Sequence, residues 1–236
     1  GAYRFDISPG PDCVMDVEAR LFPRVPLEHV GLGPLTSMFL YDGKDRTRFD
    51  DFRPAVHDSD GLMILNGAGE AIWRPLANPR KLQISAFVDD NPRGFGLMQR
   101  ARKFSDFADL EALYHRRPGV WVEPKTGWGA GSVALVEIPA DKEIYDNIVA
   151  YWRPQQPYPA GSEIPLSYRL SWGEEPGHDL ARVIDTAVGA RIFGTPGRLM
   201  TVDFEAHPLL EGDPDDVLDD VPDDVEVHLS SPHVEL

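Results

Sequence analysis

Nine short apolar runs with a two-residue period constrain this chain more than any other feature. VMDVEARLF, LTSMFLY, GLMILN, EAIWRPL, KLQISAFV, GVWVEP, SVALVEI, NIVAYW and PLSYRLSW are each bounded by Gly, Pro, Asp or Asn. Side chains of a strand point alternately to two faces, so such runs bury one face and leave the other wet. Turn signals about every ten residues then predict an all-β, antiparallel sandwich or barrel. The opening GAYRFDI reads as a further strand, with Tyr3, Phe5 and Ile7 on one face, and the 22 prolines and 21 glycines fit many turns. One segment departs from the pattern. FSDFADLEALYHRR (104–117) predicts a short helix with Phe107, Leu110 and Leu113/Tyr114 on one stripe, capped by Ser105 or Asp106.

After Trp172 the alternation breaks. Residues 173–197 read as a linker in which DLARVIDTAV could form a short helix, and RLMTVDF resumes as a strand. The run EGDPDDVLDDVPDDVEVHLS then alternates Val or Leu with paired acids, either as a mobile loop or as an edge strand of a second β domain.

Charge is unevenly placed. The net charge is −16, yet residues 203–236 hold twelve Asp/Glu and no Lys/Arg. The remaining body is nearly balanced, without the basic footprint that nucleic acid requires. No apolar run approaches the roughly 18–20 residues needed to cross a bilayer as a helix. The single cysteine, Cys13, excludes an internal disulfide and alternates with apolar neighbours as a strand residue would. The chain opens without an initiator Met or a signal peptide, which reads as a processed chain or a fragment.

Three groups of residues could carry chemistry. In RPAVHDSDGLMI, Asp58 and Asp60 flank Ser59, but Leu62 and Gly69 stand where a calcium loop needs oxygen ligands. What remains is an Asx-type turn ahead of a strand, or a metal site of His57, Asp58 and Asp60. In EIYDNIVAYW, Glu143 and Asp146 precede an apolar strand, either as solvated acids or as a positioned proton donor. Two carboxylates on separate loops are what glycoside hydrolysis needs, one protonated for the leaving oxygen and one ionised to activate water. The third group is aromatic: Trp73-Arg74, Phe95, Tyr114, Trp121, Trp128 and Tyr151-Trp152-Arg153 suit a sugar ring or an ordinary β core. Ser37 and Ser59 sit in no strand-to-helix elbow, and there is neither a P-loop nor a dinucleotide fingerprint.

Several stretches taken together, GPLTSMFL, RPAVHDSDGL, IWRPLANP, NPRGFGLMQR, WGAGSVALVEIP and DNIVAYWRP, resemble the periplasmic glucan biosynthesis proteins of the G and D type. The likeness runs in order from Gly1 to about Trp172 and is weak beyond it. It implies a large β-sandwich of galactose-mutarotase-like type with one short helix, followed by an immunoglobulin-like β domain. Residues 1–172 would be the C-terminal portion of the glucan-acting sandwich, 173–197 the linker and 198–236 a partial, acidic second domain. It also implies a periplasmic address and action on β-1,2-glucan, as an inverting hydrolase needing no cofactor or metal. The alternative is a non-catalytic glucan-binding or scaffold protein assisting a membrane glucan synthase. Carried over by position, Asp146 matches the general acid and Asp58 the candidate base. Glu143 matches a supporting acid and Tyr114 a substrate-contacting tyrosine. His57 is expected to orient Asp58, and Trp73, Arg74 and Trp152 to line the substrate groove with Tyr114 and His57.

Overall fold

The computed structural model describes residues 1–43, 45–173, 183–191 and 197–204. In chain order the strands are β1 (Ala2–Ser8), β2 (Cys13–Leu21), β3 (Leu32–Ser37), β4 (Phe39–Tyr41), β5 (Val56–His57), β6 (Gly61–Leu65), β7 (Ala71–Pro75) and β8 (Gln83–Asp90). There follow β9 (Gly94–Met98), β10 (Gly119–Pro124), β11 (Ala130–Glu137), β12 (Ile148–Pro154), β13 (Ile164–Gly173), β14 (Val183–Ala190) and β15 (Arg198–Phe204). Every pairing between them is antiparallel.

Seven strands form one sheet in the order β1-β2-β13-β10-β9-β6-β7, and four form another in the order β3-β12-β11-β8. Their inner faces share one core, in which Val17, Leu62, Phe95, Leu97 and Val122 meet Leu35, Val133, Leu135, Ile148 and Trp152. This is the expected all-β sandwich, and the alternation of each run decides which side chains enter it. On β12, Ile148, Ala150 and Trp152 are buried while Arg153 is exposed. Burying a large apolar side chain contributes about 2–3 kcal/mol, so a one-residue slip of such a strand is strongly disfavoured. Tyr3, Phe5 and Ile7 do share a face, opposite Ala19, Val17 and Met15 of β2, and all three are exposed.

Three expectations fail locally. LTSMFLY is two strands rather than one: β3 pairs with β12, whereas β4 turns away at Met38 to pair with β5. The buried amide of Asn147 occupies that break, accepting from the Phe39 N–H at 2.9 Å and donating to the Phe39 carbonyl at 3.0 Å. The helix over 104–117 shrinks to a single turn, α1 (Phe104–Phe107), and a separate 3-10 turn at Tyr114–Arg116. Between them Ala108 and Leu113 adopt left-handed φ of 51°, and the Asp109 carboxylate accepts the N–H groups of Glu111 and Ala112. An aspartate that captures local backbone donors competes with the helix ladder, and Leu110 is left exposed. Lys103 is the residue before the first helical turn, and the Asp106 carboxylate accepts its N–H rather than capping from the front.

The chain divides into two compact units, Gly1–Pro176 and Gly177–Leu236. In the second, β14 pairs with β15, so the described part of DLARVIDTAV is strand where the sequence reads as linker with room for a short helix. A lone β15 would leave its backbone donors and acceptors unpaired, and β14 supplies the partner. RLMTVDF forms β15 as expected, and the acidic run from 205 onward lies outside the described residues.

Candidate active site

A second apolar cluster, separate from the sandwich core, gathers Met38, Leu40, Tyr41, Val56, Phe107 and Tyr114. It underlies three loops that meet there: residues 49–60 around β5, residues 99–117 after β9, and residues 138–147 between β11 and β12. Each loop brings acids, and two arginines tie them together.

Arg53 is the first tie. Its guanidinium bonds Asp51 through Nε and Nη2, donates to Asp109 at 2.6 Å through Nη1, and reaches Glu143 at 2.9 Å through the same nitrogen. Three loops distant in sequence therefore share one cation. The hydrogen bonds from Arg53 hold the Asp51 carboxyl down to about 2, against the opposing effect of burial. Burial raises the Asp109 carboxyl, but Arg53 and the two backbone donors outweigh it, so the net shift is downward.

Tyr114 joins the same network. Its ring is buried, 3% exposed, and its hydroxyl donates to Glu143 Oε2 at 2.7 Å. Burial, followed by the hydrogen bond to Glu143, pushes the phenol well above its ordinary value, so it stays a donor. Arg117 is the second tie. Its Nη1 donates to Asp58 Oδ1 at 2.6 Å, and its guanidinium carbon lies 4.8 Å from the Tyr114 ring centroid.

Asp58 stands just after β5, with its carboxyl raised above the usual aspartate value. Burial is the largest cause; Arg117 opposes it, and the charges of Asp146 and Glu143 add to it. The three acids named from the sequence thus lie close enough to sense one another. Asp146 is exposed at the mouth of β12, immediately before Asn147. The Asn147 side chain also donates to the Ile138 carbonyl at 3.0 Å, which fixes both ends of the turn that presents Asp146.

The expected substrate contacts divide. Tyr114 lies in the cluster, whereas Trp152 is 0% exposed and belongs to the sandwich core. His57 is 2% exposed, stacked on Phe39, edge-on to Phe107 and bonded through Nδ1 to Gln99 Oε1 at 2.8 Å. Neither offers a face to a sugar: alternation on β12 turns Trp152 inward, and both residues of the short β5 are buried. Gln99 also donates to the Tyr114 carbonyl at 3.0 Å, so it bonds both His57 and the backbone of the clustered tyrosine. Trp73 and Arg74 lie on β7, an outer strand of the larger sheet. Arg100 stacks on Trp73 at 4.3 Å, and Arg74 pairs with the buried Glu137 at 2.8 Å. Trp121, Trp128 and Phe95 are core residues.

The Asx-turn expectation for Asp58 and Asp60 also fails. Asp58 turns to Arg117, and Asp60 accepts the Arg100 N–H at 3.1 Å, so neither carboxylate closes on its own turn. Sequence reading missed Arg53, Asp109, Arg117 and Asn147. Arg117 ended the proposed helix and Asn147 followed Asp146, but a charge partner 59 or 90 residues away leaves no local signal.

Fold and site together define a β-sandwich protein with a carboxylate, tyrosine and arginine cluster where its loops converge. Residues 1–234 match the family model described as periplasmic glucan biosynthesis protein, MdoG, and the chain belongs to that family. Curated relatives carry the name glucans biosynthesis protein G. That of Shewanella sp. (strain W3-18-1) is 56% identical over 211 residues, 88% of this chain and 39% of the relative. That of Shewanella frigidimarina (strain NCIMB 400) is 56% identical over 221 residues, 92% and 39% respectively. Glucans biosynthesis protein G 1 of Shewanella oneidensis is 54% identical over 214 residues, 88% and 39%. The chain spans about two-fifths of the length of these relatives.

Proposed function

We propose that this chain carries the acid cluster of a periplasmic enzyme acting on β-1,2-glucan, an inverting hydrolase in type. The observation that carries the reading is the convergence of Asp58, Glu143 and Asp146, with Asp58 desolvated and raised by its two acidic neighbours. Asp146, exposed at the strand mouth, gives its proton to the glycosidic oxygen as the C–O bond breaks. Asp58 takes a proton from the water that attacks the anomeric carbon from the opposite face, so the product inverts. A base grows stronger as its pKa rises, provided it remains ionised, and Arg117 favours the ionised form against the effect of burial. Glu143, oriented by Arg53 and Tyr114, supports the acid across the short turn 143–146 or contacts substrate beside it.

The test is reducing-end release from linear β-1,2-glucan by the chain and by Asp146→Asn. Release by the parent and a loss of several orders of magnitude in the variant support the enzyme and its acid. A second reading, a glucan-binding protein that assists a membrane glucan synthase, draws on the word biosynthesis in the relatives' names. Equal glucan binding by both proteins without release would favour it.

A further inference from the structure

The motif AYWRP on β12 leaves two side chains that the acid cluster does not use. Strand alternation sends Trp152 into the core and places Tyr151 and Arg153 on the opposite face. Between the pairs Ala150–Leu35 and Trp152–Leu32 the β3–β12 ladder shifts, with Gly33 and Pro34 of β3 facing the single residue Tyr151, so the extra residue of the bulge lies on β3. Bulges re-aim a side chain and recur beside sites. Gly31 lies against the Tyr151 ring, where a Cβ would come within 2.8 Å of Cδ2, so only glycine lets the chain pass there. Beyond the ring, Arg153 Nη2 donates to His29 Nδ1 at 2.6 Å, and among the described residues no carboxylate pairs with Arg153. His29, Val30, Gly31, Pro34, Tyr151 and Arg153 line a hollow of about 500 Å³. Seven residues of chain separate Asp146 from Arg153, roughly 20 Å at the rise of a strand.

We propose that this hollow is a second saccharide-binding site, holding hexose units of a glucan chain remote from the acid cluster. The choice of glucan rests on the function proposed above. The hollow itself supplies what a pyranose needs: Tyr151 and Pro34 for its C–H face, and Arg153 with the Nε2–H of His29 as donors to its hydroxyls. A simple anion would use the guanidinium and have no need of the Tyr151 ring beside it. Two sites on one chain raise the effective concentration of a long glucan at the cluster without any new contact there.

The experiment is calorimetric titration of the chain with a short linear β-1,2-gluco-oligosaccharide in the Asp146→Asn background, where no ligand is consumed. Arg153→Met with His29→Ala is compared in the same background. Both positions are exposed, and melting curves check that the fold is kept. The proposal expects one class of site to disappear, with affinity at that class weakened about tenfold or more. An unchanged titration overturns it, as does an absence of saccharide binding to the starting protein. Tight binding of inorganic phosphate abolished by the same pair of substitutions also overturns it, making the hollow an anion site. Failure of the catalytic reading is separate: no reducing-end release from the unsubstituted chain, with saccharide affinity still lost in the paired variant, leaves the second site standing.

Discussion

Tyr114 donates its hydroxyl proton to Glu143 Oε2 at 2.7 Å, joining two loops whose bonded residues stand 29 positions apart. The bond makes the tyrosine a part of the acid cluster before any substrate arrives. Tyr114→Phe keeps the ring in its apolar pocket and removes only that donor. A hydrogen bond to a charged acceptor contributes about 1.5–3 kcal/mol, and partial exposure of Glu143 argues for the lower end. Glucan turnover is expected to fall about tenfold or more while the melting temperature moves by only a few degrees. Unchanged turnover would remove Tyr114 from the site.

Arg53 pairs with Asp51, Asp109 and Glu143 at once. Arg53→Met leaves the buried Asp109 without its counter-ion, and breaking such a pair costs about 3–5 kcal/mol. Arg20 pairs with Glu163 on the surface, and Arg20→Met should cost no more than about 1 kcal/mol. Urea unfolding of the two variants decides the matter, and equal costs would show that the network is no more than a surface feature.

The pH profile separates base from acid. A general base must be ionised, so the raised pKa of Asp58 sets the acidic limb of kcat/KM, above the usual aspartate range. Arg117 lowers that pKa, so Arg117→Gln should move the acidic limb upward. Movement of the alkaline limb instead would assign Asp58 as the acid.

Acid stability has the opposite sign at Asp51. Its folded pKa of about 2 lies below the unfolded value, so the stability it contributes is complete above about pH 4 and is lost as pH falls toward 2. Asp51→Asn should therefore flatten the acid limb of a stability profile measured between pH 2 and 5, by about 1–2 kcal/mol after allowance for solvent screening. An unaltered slope would show that Asp51 is not held down by Arg53.

Asn147 accepts from Phe39 and donates to Phe39 and Ile138 while almost fully buried. Asn147→Ala strands these backbone groups and should cost about 2–4 kcal/mol. Turnover at temperatures where the variant remains folded should also fall, because the same side chain sets the turn that presents Asp146. A stable, fully active variant would sink both expectations.

Strand positions were legible because their cause is local. IVAYW alternates buried and half-buried positions as its residue pattern predicts, whereas GLMIL and VALVE are apolar almost throughout and bury residues on both faces. The acids were visible as residue types and gained roles only through likeness to a family. What the sequence by itself determined, then, is most of the strands, though not β5, β9 or β14, and the acidic bias of residues 203–236. Tertiary structure decided the rest. It seated β2 between β1 and β13, bringing together residues about 150 positions apart, and divided LTSMFLY at Asn147. It also broke the 104–117 helix with an aspartate held by Arg53, and paired Arg117 with Asp58 and Arg53 with Glu143. The physical reason is one of range: alternation is written into neighbouring residues, whereas a buried charge takes whichever partner the fold brings within about 3 Å.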